Sequence, residues 1–121
     1  EGVFHYEPEG HRLVALAAGD KRGPLASAAL SQGCVGTAPA VFVVCAVFER
    51  TSIKYRERAP RYVHIEAGHA AQNIMLEAVA LGLGSVPVGA FNDDQVKRVL
   101  GLPQRQEPLL LIPVGHPATG R

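Results

Sequence analysis

The chain has 121 residues, of which 47% are hydrophobic and 19% charged, and its 12 basic and 11 acidic side chains leave a formal charge of +1. This length predicts one domain, and the balanced charge gives no reason to expect a nucleic acid partner. The apolar stretches are too short or too broken by Gly and Pro to predict a membrane span. Since roughly 25% charged residues is typical of soluble domains, we expect surface buried against a second chain or a missing segment.

Cys34 and Cys45 form no C-x-x-C pair, and no metal-type spacing surrounds them. Cys45 lies in an apolar run and is expected to be a core thiol. Reduced cysteines and the absence of a signal peptide favour a cytoplasmic protein. The chain has no initiator Met and begins inside a predicted strand, so we expect a fragment or a processed chain.

The first half of the chain predicts a hairpin, a short helix and a strand. "GVFHYEPEGHRLVAL" gives two strands around a turn at residues 7–10. "GPLASAALSQG" gives a short helix with Pro24 in its first turn and its end near Gly33. "APAVFVVCAVFE" is typical of a strand buried on both faces.

The middle of the chain predicts two helices separated by Pro60, because the residue before proline avoids helical geometry. A short helix lies in "ERTSIKYRERAPRY", and a long helix runs from about Arg61 to Leu81. The long helix is so apolar from Ile74 to Leu83 that we expect it to be covered on most sides. A polar stripe on it faces solvent or a partner helix and contains Glu66, Asn73 and Glu77, with His69 beside it.

The last part of the chain predicts a strand in "SVPVGAF", a helix in "NDDQVKRVLGLP" and a buried final strand in "PLLLIPVG". Asn92 is expected to cap the helix, and Gly101 and Pro103 to stop it. The resulting order, β-β-α-β-α-α-β-α-β, indicates an α+β fold with a long central helix.

Glycines at 82, 84 and 89 suggest a nucleotide-binding loop, but they follow a helix and precede a strand. A dinucleotide fingerprint needs the opposite order and a different spacing, so that reading fails. Gly82 and Gly84 are better interpreted as a helix C-cap and a tight turn. Gly89 follows Pro87 within a predicted edge or irregular strand, which indicates either a simple bulge or close approach of a ligand to the backbone.

These residues carry a resemblance to a known family. "EAGHAAQNIMLEAVALGLGSVPVGAFNDDQVKRVLGLPQRQEPLLLIPVGHP" resembles the C-terminal half of the FMN-dependent nitroreductases. "GVFHYEPEGHRL", "LSQGCVGTAPAVFVV" and "VFERTSIKYRERAPRYVHIEAGHAAQN" resemble its SagB-type branch, which includes dehydrogenases that oxidise azolines in ribosomally made peptides. The resemblance implies an α+β fold, a mixed sheet flanked by helices, and a homodimer that holds FMN at the subunit interface.

The resemblance also implies where the cofactor lies. The stretch Pro87, Val88, Gly89 and Ala90 would lie along the isoalloxazine ring, with the Gly89 N–H directed towards flavin N5. Arg121 matches a basic position that meets the FMN phosphate. Gln32 stands where the family often has an amide that reaches the cofactor.

Lys54 and Tyr55 match a Lys-Tyr pair that is implicated in catalysis in the SagB-type branch. A partly desolvated lysine beside the ring could take the proton released in azoline oxidation, and Tyr55 could donate or relay a proton. The alternative is a solvated charged helix in which Lys54 and Arg58 are ordinary surface neighbours. The five histidines show no strong metal-binding spacing, and we expect no metal.

The N-terminal segments that bind FMN phosphate in the family have no counterpart in this sequence. We therefore expect an N-terminally truncated domain that binds FMN weakly by itself. The alternatives to a flavin oxidoreductase acting on a small molecule or a peptide are a non-catalytic domain used for dimerisation and a peptide-binding module that uses the basic segment Arg50–Arg61.

Overall fold

A computed structural model of the chain describes residues 1–118. The elements are β1 (Gly2–Glu7), β2 (Arg12–Ala18), α1 (Arg22–Ala28), α2 (Gly33–Thr37), β3 (Ala40–Ala46), α3 (Phe48–Tyr55), a 3₁₀ turn (Arg56–Arg58), α4 (Ala59–Ala80), β4 (Gly84–Ser85), α5 (Asp93–Leu100) and β5 (Glu107–Gly115). The α+β class with a long helix is confirmed. One helix, α2, was not predicted, because the first helix ends five residues before Gly33 and a second short helix begins there.

The predicted N-terminal hairpin is present. β1 and β2 pair antiparallel from Gly2 opposite Ala18 to Glu7 opposite Arg12. The turn between them is closed by the N–H of His11, which donates to the Pro8 carbonyl over 3.2 Å. Two strands form a sheet of their own, separate from the other three. The hairpin is therefore an appendage with little of its surface buried.

The second sheet has the order β3-β5-β4, and both of its strand pairs are antiparallel. β5 is the central strand and is buried along 111–114, as predicted. β3 was predicted to be buried on both faces, but Phe42 on it is exposed. The prediction fails because β3 is an edge strand, and this chain leaves part of it uncovered.

The core lies on both faces of β5. On one face, side chains of α1, α2, α5 and β5 form a cluster around Leu111, which is fully buried together with Val35 and Val96. On the other face, Ile112 and Val114 pack against α4. Residues one apart on a strand point to opposite faces, so Leu111 and Ile112 serve different clusters.

The long helix α4 begins two residues before the predicted start, with Pro60 in its first turn. Its buried side is a stripe of small residues at four-residue spacing, 59, 63, 67 and 71, with Ala78 beyond it. The expectation that the helix is covered on most sides is wrong for this chain, because Val79 is 69% exposed and Leu76 is also exposed. The chain supplies packing partners for only one side of it.

The helix ends follow the predicted local chemistry. Asn92 Oδ1 accepts a hydrogen bond of 2.9 Å from the N–H of Gln95, and Gly101 ends α5 in the left-handed conformation at φ +65°. Gly82, at φ +72°, terminates α4. Gly84 begins β4 and pairs with Gly115, where a tight turn was expected.

Candidate functional site

The segment 87–90 lies at the free edge of the three-stranded sheet, as the sequence indicated. Val88 is its anchor: the Val88 N–H donates to the Leu111 carbonyl at 2.8 Å, and the Leu111 N–H returns a bond of 2.9 Å. The Val88 side chain is only 4% exposed. Pro87, Gly89 and Ala90 are exposed on either side of it. The segment is thus fixed by one residue and open at its neighbours.

An open groove of about 340 Å³ separates this segment from α4. Two glycines, Gly68 of α4 and Gly89, contribute to its walls. A Cβ added at Gly68 would meet no atom within 4 Å, and one added at Gly89 would meet only Leu110 Cδ2 at 3.8 Å. The groove is lined by His64, Ala67, Gly68, Gly89, Phe91, Asp93, Pro108, Leu109 and Leu110. At Gly68 and Gly89 the groove is free of side chains, so a ligand can approach the backbone at these two points.

The backbone beside the groove offers hydrogen-bond donors. Among residues 1–118, the N–H groups of Gly89 and Ala90 donate to no other backbone group. A backbone donor that is left without a partner in the protein is free to bond a ligand or water. The residue predicted to face flavin N5 therefore has both an open approach and an uncommitted donor.

Gln32 contacts the same segment. Its Nε2 donates to the Ala90 carbonyl at 3.0 Å and to the Ala29 carbonyl at 3.0 Å. Both amide hydrogens are thereby used, and the Oε1 acceptor remains for other partners. The structure thus brings Gln32 and Ala90 together, although they are far apart in the sequence, and Gln32 braces the segment against the end of α1.

Lys54 and Tyr55 lie in the last turn of α3, and both are exposed. Lys54 Nζ is 5.2 Å from the centre of the Tyr55 ring, and that ring packs edge-on against Tyr62 at 4.9 Å. Neither residue lines the groove. The first residue of α3, Phe48, contacts the groove residue His64, and Lys54 lies roughly 9 Å farther along the helix. Within one chain, the two predicted groups of site residues are separate.

His64 is a groove residue that the sequence analysis missed. It was considered only as a metal ligand, although its spacing of four from Gly68 places both on one helix face. The Phe48 ring packs edge-on against the His64 ring at 5.6 Å, so α3 supports this wall. No group of three or more metal-ligating side chains occurs within residues 1–118.

Two groups have shifted acidities. The Arg22 guanidinium, which hydrogen-bonds to the Asp20 carboxylate, holds the pKa of that carboxyl well below its usual range. Burial raises the pKa of the Cys45 thiol to about 11, and the charge of Glu107 adds to the rise. Both lie outside the groove lining. Arg121, the predicted phosphate ligand, lies outside the described residues.

The family model described as the nitroreductase family matches residues 3–116, and the chain belongs to this family. A provisionally named nitroreductase of Methanocaldococcus jannaschii is 46% identical over 116 residues, which is 96% of this chain and 58% of the relative. A provisionally named nitroreductase of Anabaena variabilis, of known structure, is 32% identical with a TM-score of 0.91, and the match covers 97% of this chain and 24% of that one.

Two further relatives have more specific names. The microcin B17-processing protein of Escherichia coli is 30% identical over 113 residues, which cover 91% of this chain and 41% of the relative. The NADPH:FMN oxidoreductase of Vibrio harveyi, solved with NAD⁺, is 31% identical with a TM-score of 0.69, covering 82% of this chain and 46% of that one.

The chain thus spans about half the length of the curated relatives it matches, from 41% to 58% of those whose names are given above. Within residues 1–118, no helix is both long enough and apolar enough to cross a membrane. The family includes flavin reductases that depend on FMN, and its members are commonly dimers.

Proposed function

We propose that this chain forms the FMN-binding part of a flavin-dependent oxidoreductase of the nitroreductase family, acting as a homodimer. The observation that carries the proposal is the exposed Gly89, with an uncommitted N–H, in a groove that Gly68 also lines. A planar ring needs space to lie against the backbone and a donor at its edge. The chain supplies these features in one place.

The residues present fit FMN. The groove volume of about 340 Å³ lies within the range of roughly 300–1,000 Å³ that small-molecule sites occupy. Bound FMN supplies the group that accepts or gives a hydride at N5. The chain's own contribution is positional: Val88 fixes the segment to β5, Gln32 braces Ala90, and Gly89 permits close approach because it has no Cβ. Arg121 is proposed to meet the phosphate.

Lys54 is proposed as the base and Tyr55 as a proton donor or relay. Since both lie outside the groove of their own chain, we place them at the groove of a second copy. Exposure of α3 and the dimeric state common in the family support this arrangement. The proposal is tested by mixing Lys54→Ala with Gly68→Leu protein, because activity restored by the mixture requires sites that combine two chains.

The proposed substrate is an azoline in a peptide, oxidised during peptide maturation. The Lys54-Tyr55 pair and the similarity to the microcin B17-processing protein support this choice. Azoline oxidation removes two hydrogens from the ring, one as a proton that Lys54 accepts and one as a hydride. The alternative is a non-catalytic nitroreductase-like domain that acts in dimerisation or peptide binding.

Titration with FMN tests the cofactor proposal. We expect FMN to shift the flavin absorption bands and to raise the melting temperature of the purified chain in proportion to occupancy. Gly68→Leu fills the groove and should weaken FMN binding at least tenfold. Ala70→Leu adds a leucine at an exposed position about 200° around the same helix and is the matched control. The proposal fails if saturating FMN changes neither signal, or if both variants bind FMN equally well.

A further inference from the structure

A cluster of cations occupies the corner where α3, the 3₁₀ turn and α4 meet. We define the basic corner as Arg50, Lys54, Arg56, Arg58 and Arg61, all of which are exposed. None of the ion pairs formed among residues 1–118 involves them. Two acidic residues, Glu49 and Glu57, lie in the same segment and leave it with a net charge of +3 (five basic minus two acidic). The basic corner is therefore a region of concentrated positive charge on a chain whose total charge is +1.

The fold holds these cations close together. Tyr55 at the end of α3 packs edge-on against Tyr62 in α4, with ring centres 4.9 Å apart. This contact joins the two helices on either side of the turn that carries Arg56 and Arg58. Arg50 and Lys54 share one face of α3 because they are four residues apart. The basic corner is thus a fixed surface.

The backbone at the centre of the corner is strained. Arg56 adopts φ +48° and ψ −122°, a conformation that L side chains rarely adopt and glycine tolerates. Strained residues persist where the surrounding structure over-determines them, and they cluster at ligand-binding and active sites. Among residues 1–118, four non-glycine residues have a positive φ, and Arg56 is the one that lies in the basic corner.

Apolar surface accompanies the charge. Ile53 lies on α3 between Arg50 and Lys54 and is 86% exposed. Tyr55 is also exposed beside Lys54. An isolated exposed isoleucine needs no explanation, but here it stands among cations and an aromatic ring. The surface therefore suits a ligand that presents both carboxylates and an apolar side chain.

We propose that the basic corner docks an acidic peptide segment that contains apolar residues. Arginine guanidinium groups pair with carboxylates in bidentate geometry, and Ile53 and Tyr55 offer an apolar contact surface for a side chain. A nucleic acid fits less well, because the rest of the chain carries a net charge of −2 (+1 minus +3) that would repel a long polyanion. This proposal goes beyond the flavin site, with which it shares Lys54 and Tyr55, and it rests on the arginines of the basic corner for its charge.

Fluorescence anisotropy without FMN tests the proposal, with a short labelled peptide of glutamates and two leucines as the probe. The variant R50Q/R58Q/R61Q should bind the peptide roughly tenfold more weakly, about twofold for each exposed ion pair lost. Lys54 is left intact because it belongs to the proposed catalytic machinery. The matched control K21Q/R98Q/R105Q removes three cations elsewhere and should bind as the parent chain does. Equal losses in the two triple variants would overturn the proposal, because they would indicate only a response to net charge.

Further probes distinguish the chemistry of the ligand. Replacing every glutamate of the peptide by glutamine should abolish binding, and added salt should weaken it. If single-stranded DNA of equal charge, or vesicles containing phosphatidylserine, bind more tightly than the peptide, the proposed class of partner is wrong. Because FMN is absent from these measurements, their outcome is separate from that of the flavin titration.

Arg56→Gly tests the strain argument. Glycine should relieve the backbone strain and raise the melting temperature, while loss of the cation weakens peptide binding about twofold. Arg105→Gly, at another exposed arginine, should not raise the melting temperature. If Arg56→Gly leaves peptide binding unchanged, the docking role assigned to Arg56 is wrong, whatever its effect on stability.

Discussion

The two sides of this molecule differ in how completely the chain covers its own apolar residues. Between α1, α5 and β5, Leu111 and Val96 are fully buried in a continuous cluster. On the hairpin and the outer face of α4, apolar residues of similar size remain in solvent, and Leu13 is 66% exposed. The first region is close-packed like a protein interior. The second region carries apolar residues typical of a core, but this chain leaves them in solvent.

Hydrophobicity in the sequence therefore predicts that a residue will be buried, but it does not identify the molecule that buries it. Large exposed apolar surfaces mark sites of association in proteins that are otherwise well packed. The exposed residues of α4 and the hairpin therefore fit either kind of cover expected from the low charged fraction, a second chain or a further segment. The predictions that follow test whether the two regions differ in stability as they differ in burial.

The largest contrast is expected between Leu111→Ala and Leu13→Ala. Truncating Leu111 leaves a cavity in the β5 core and should lower the free energy of unfolding by about 3 kcal/mol, whereas an exposed leucine should change it by less than about 0.5 kcal/mol. Urea denaturation at low protein concentration measures both. If Leu111→Ala does not fold, Ile112→Val replaces it, with an expected loss of about 1 kcal/mol. Similar losses at Leu111 and Leu13 would show that the hairpin is already covered.

The two cysteines provide the second contrast. Cys34 is exposed, and Cys45 lies partly buried on β3 with a pKa raised to about 11 by burial and Glu107. A rise of about two pKa units lowers the thiolate fraction of Cys45 about a hundredfold relative to the unfolded chain, so iodoacetamide at pH 8 should modify Cys45 about a hundredfold more slowly in folded protein than in urea, and after the exposed Cys34. Mass spectrometry of timed samples measures both rates. Equal rates in folded protein would contradict the burial of Cys45, and equal rates in urea are the control.

The raised pKa of Cys45 also makes its contribution to stability depend on pH. Its folded-state pKa, about 11, lies above the reference value of 9.0, so the unfolded chain loses this proton first as pH rises. The contribution of Cys45 to stability is therefore present below about pH 9 and is lost as the pH rises towards 11. Cys45→Ala should flatten that part of the stability profile.

Asn92→Ala is expected to have a smaller effect, about 1 kcal/mol, because it removes the side-chain cap of α5. This helix packs on the finished core, so loss of the cap should lower the free energy of unfolding of the whole domain. Asn73→Ala removes an exposed asparagine in the interior of α4 and is the matched control. Thermal or urea unfolding measures both, and a loss at Asn73 as large as that at Asn92 would contradict the cap's role.

The local signals in the sequence were reliable because a few neighbouring residues decide them. The turn before Gly10, the start of α4 near Pro60, the Asn92 cap and the end of α5 at Gly101 all depend on backbone preferences within one or two turns. The edge position after Pro87 was likewise predicted from the missing N–H of proline, although the central strand β5 itself contains Pro108 and Pro113.

The features that depend on distant residues were not predictable in this way. His64 reaches the groove because α4 passes beside the segment after β4, and no local pattern encodes that crossing. The burial of α4 was overestimated because hydrophobic periodicity predicts that a helix needs to be buried but does not identify its packing partner. The contact from Gln32 to Ala90 joins residues 58 positions apart, and only the resemblance to the family suggested a shared site.

The smallest effect is expected at the junction of the two regions. Arg22 hydrogen-bonds to Asp20 just after the hairpin, and its Nη1 donates to the Ala38 carbonyl at 2.9 Å, so the pair ties the hairpin's end to the end of α2. Arg22 holds the pKa of Asp20 below its unfolded value of about 3.9. A depressed pKa gives stability that is present above about pH 4 and is lost as the pH falls towards the folded-state value.

Asp20→Asn should therefore lower the melting temperature slightly at pH 7, and the difference from the parent chain should shrink below pH 4. Both carboxylate and guanidinium are exposed, so solvent screening keeps the effect small, and added salt should reduce it further. Glu9→Gln, at an exposed carboxylate in the hairpin turn, is the control. A deficit in Asp20→Asn that persists unchanged at low pH would assign the junction's stability to the backbone bond that Asp20 accepts from the Arg22 N–H, since asparagine can accept that bond at any pH.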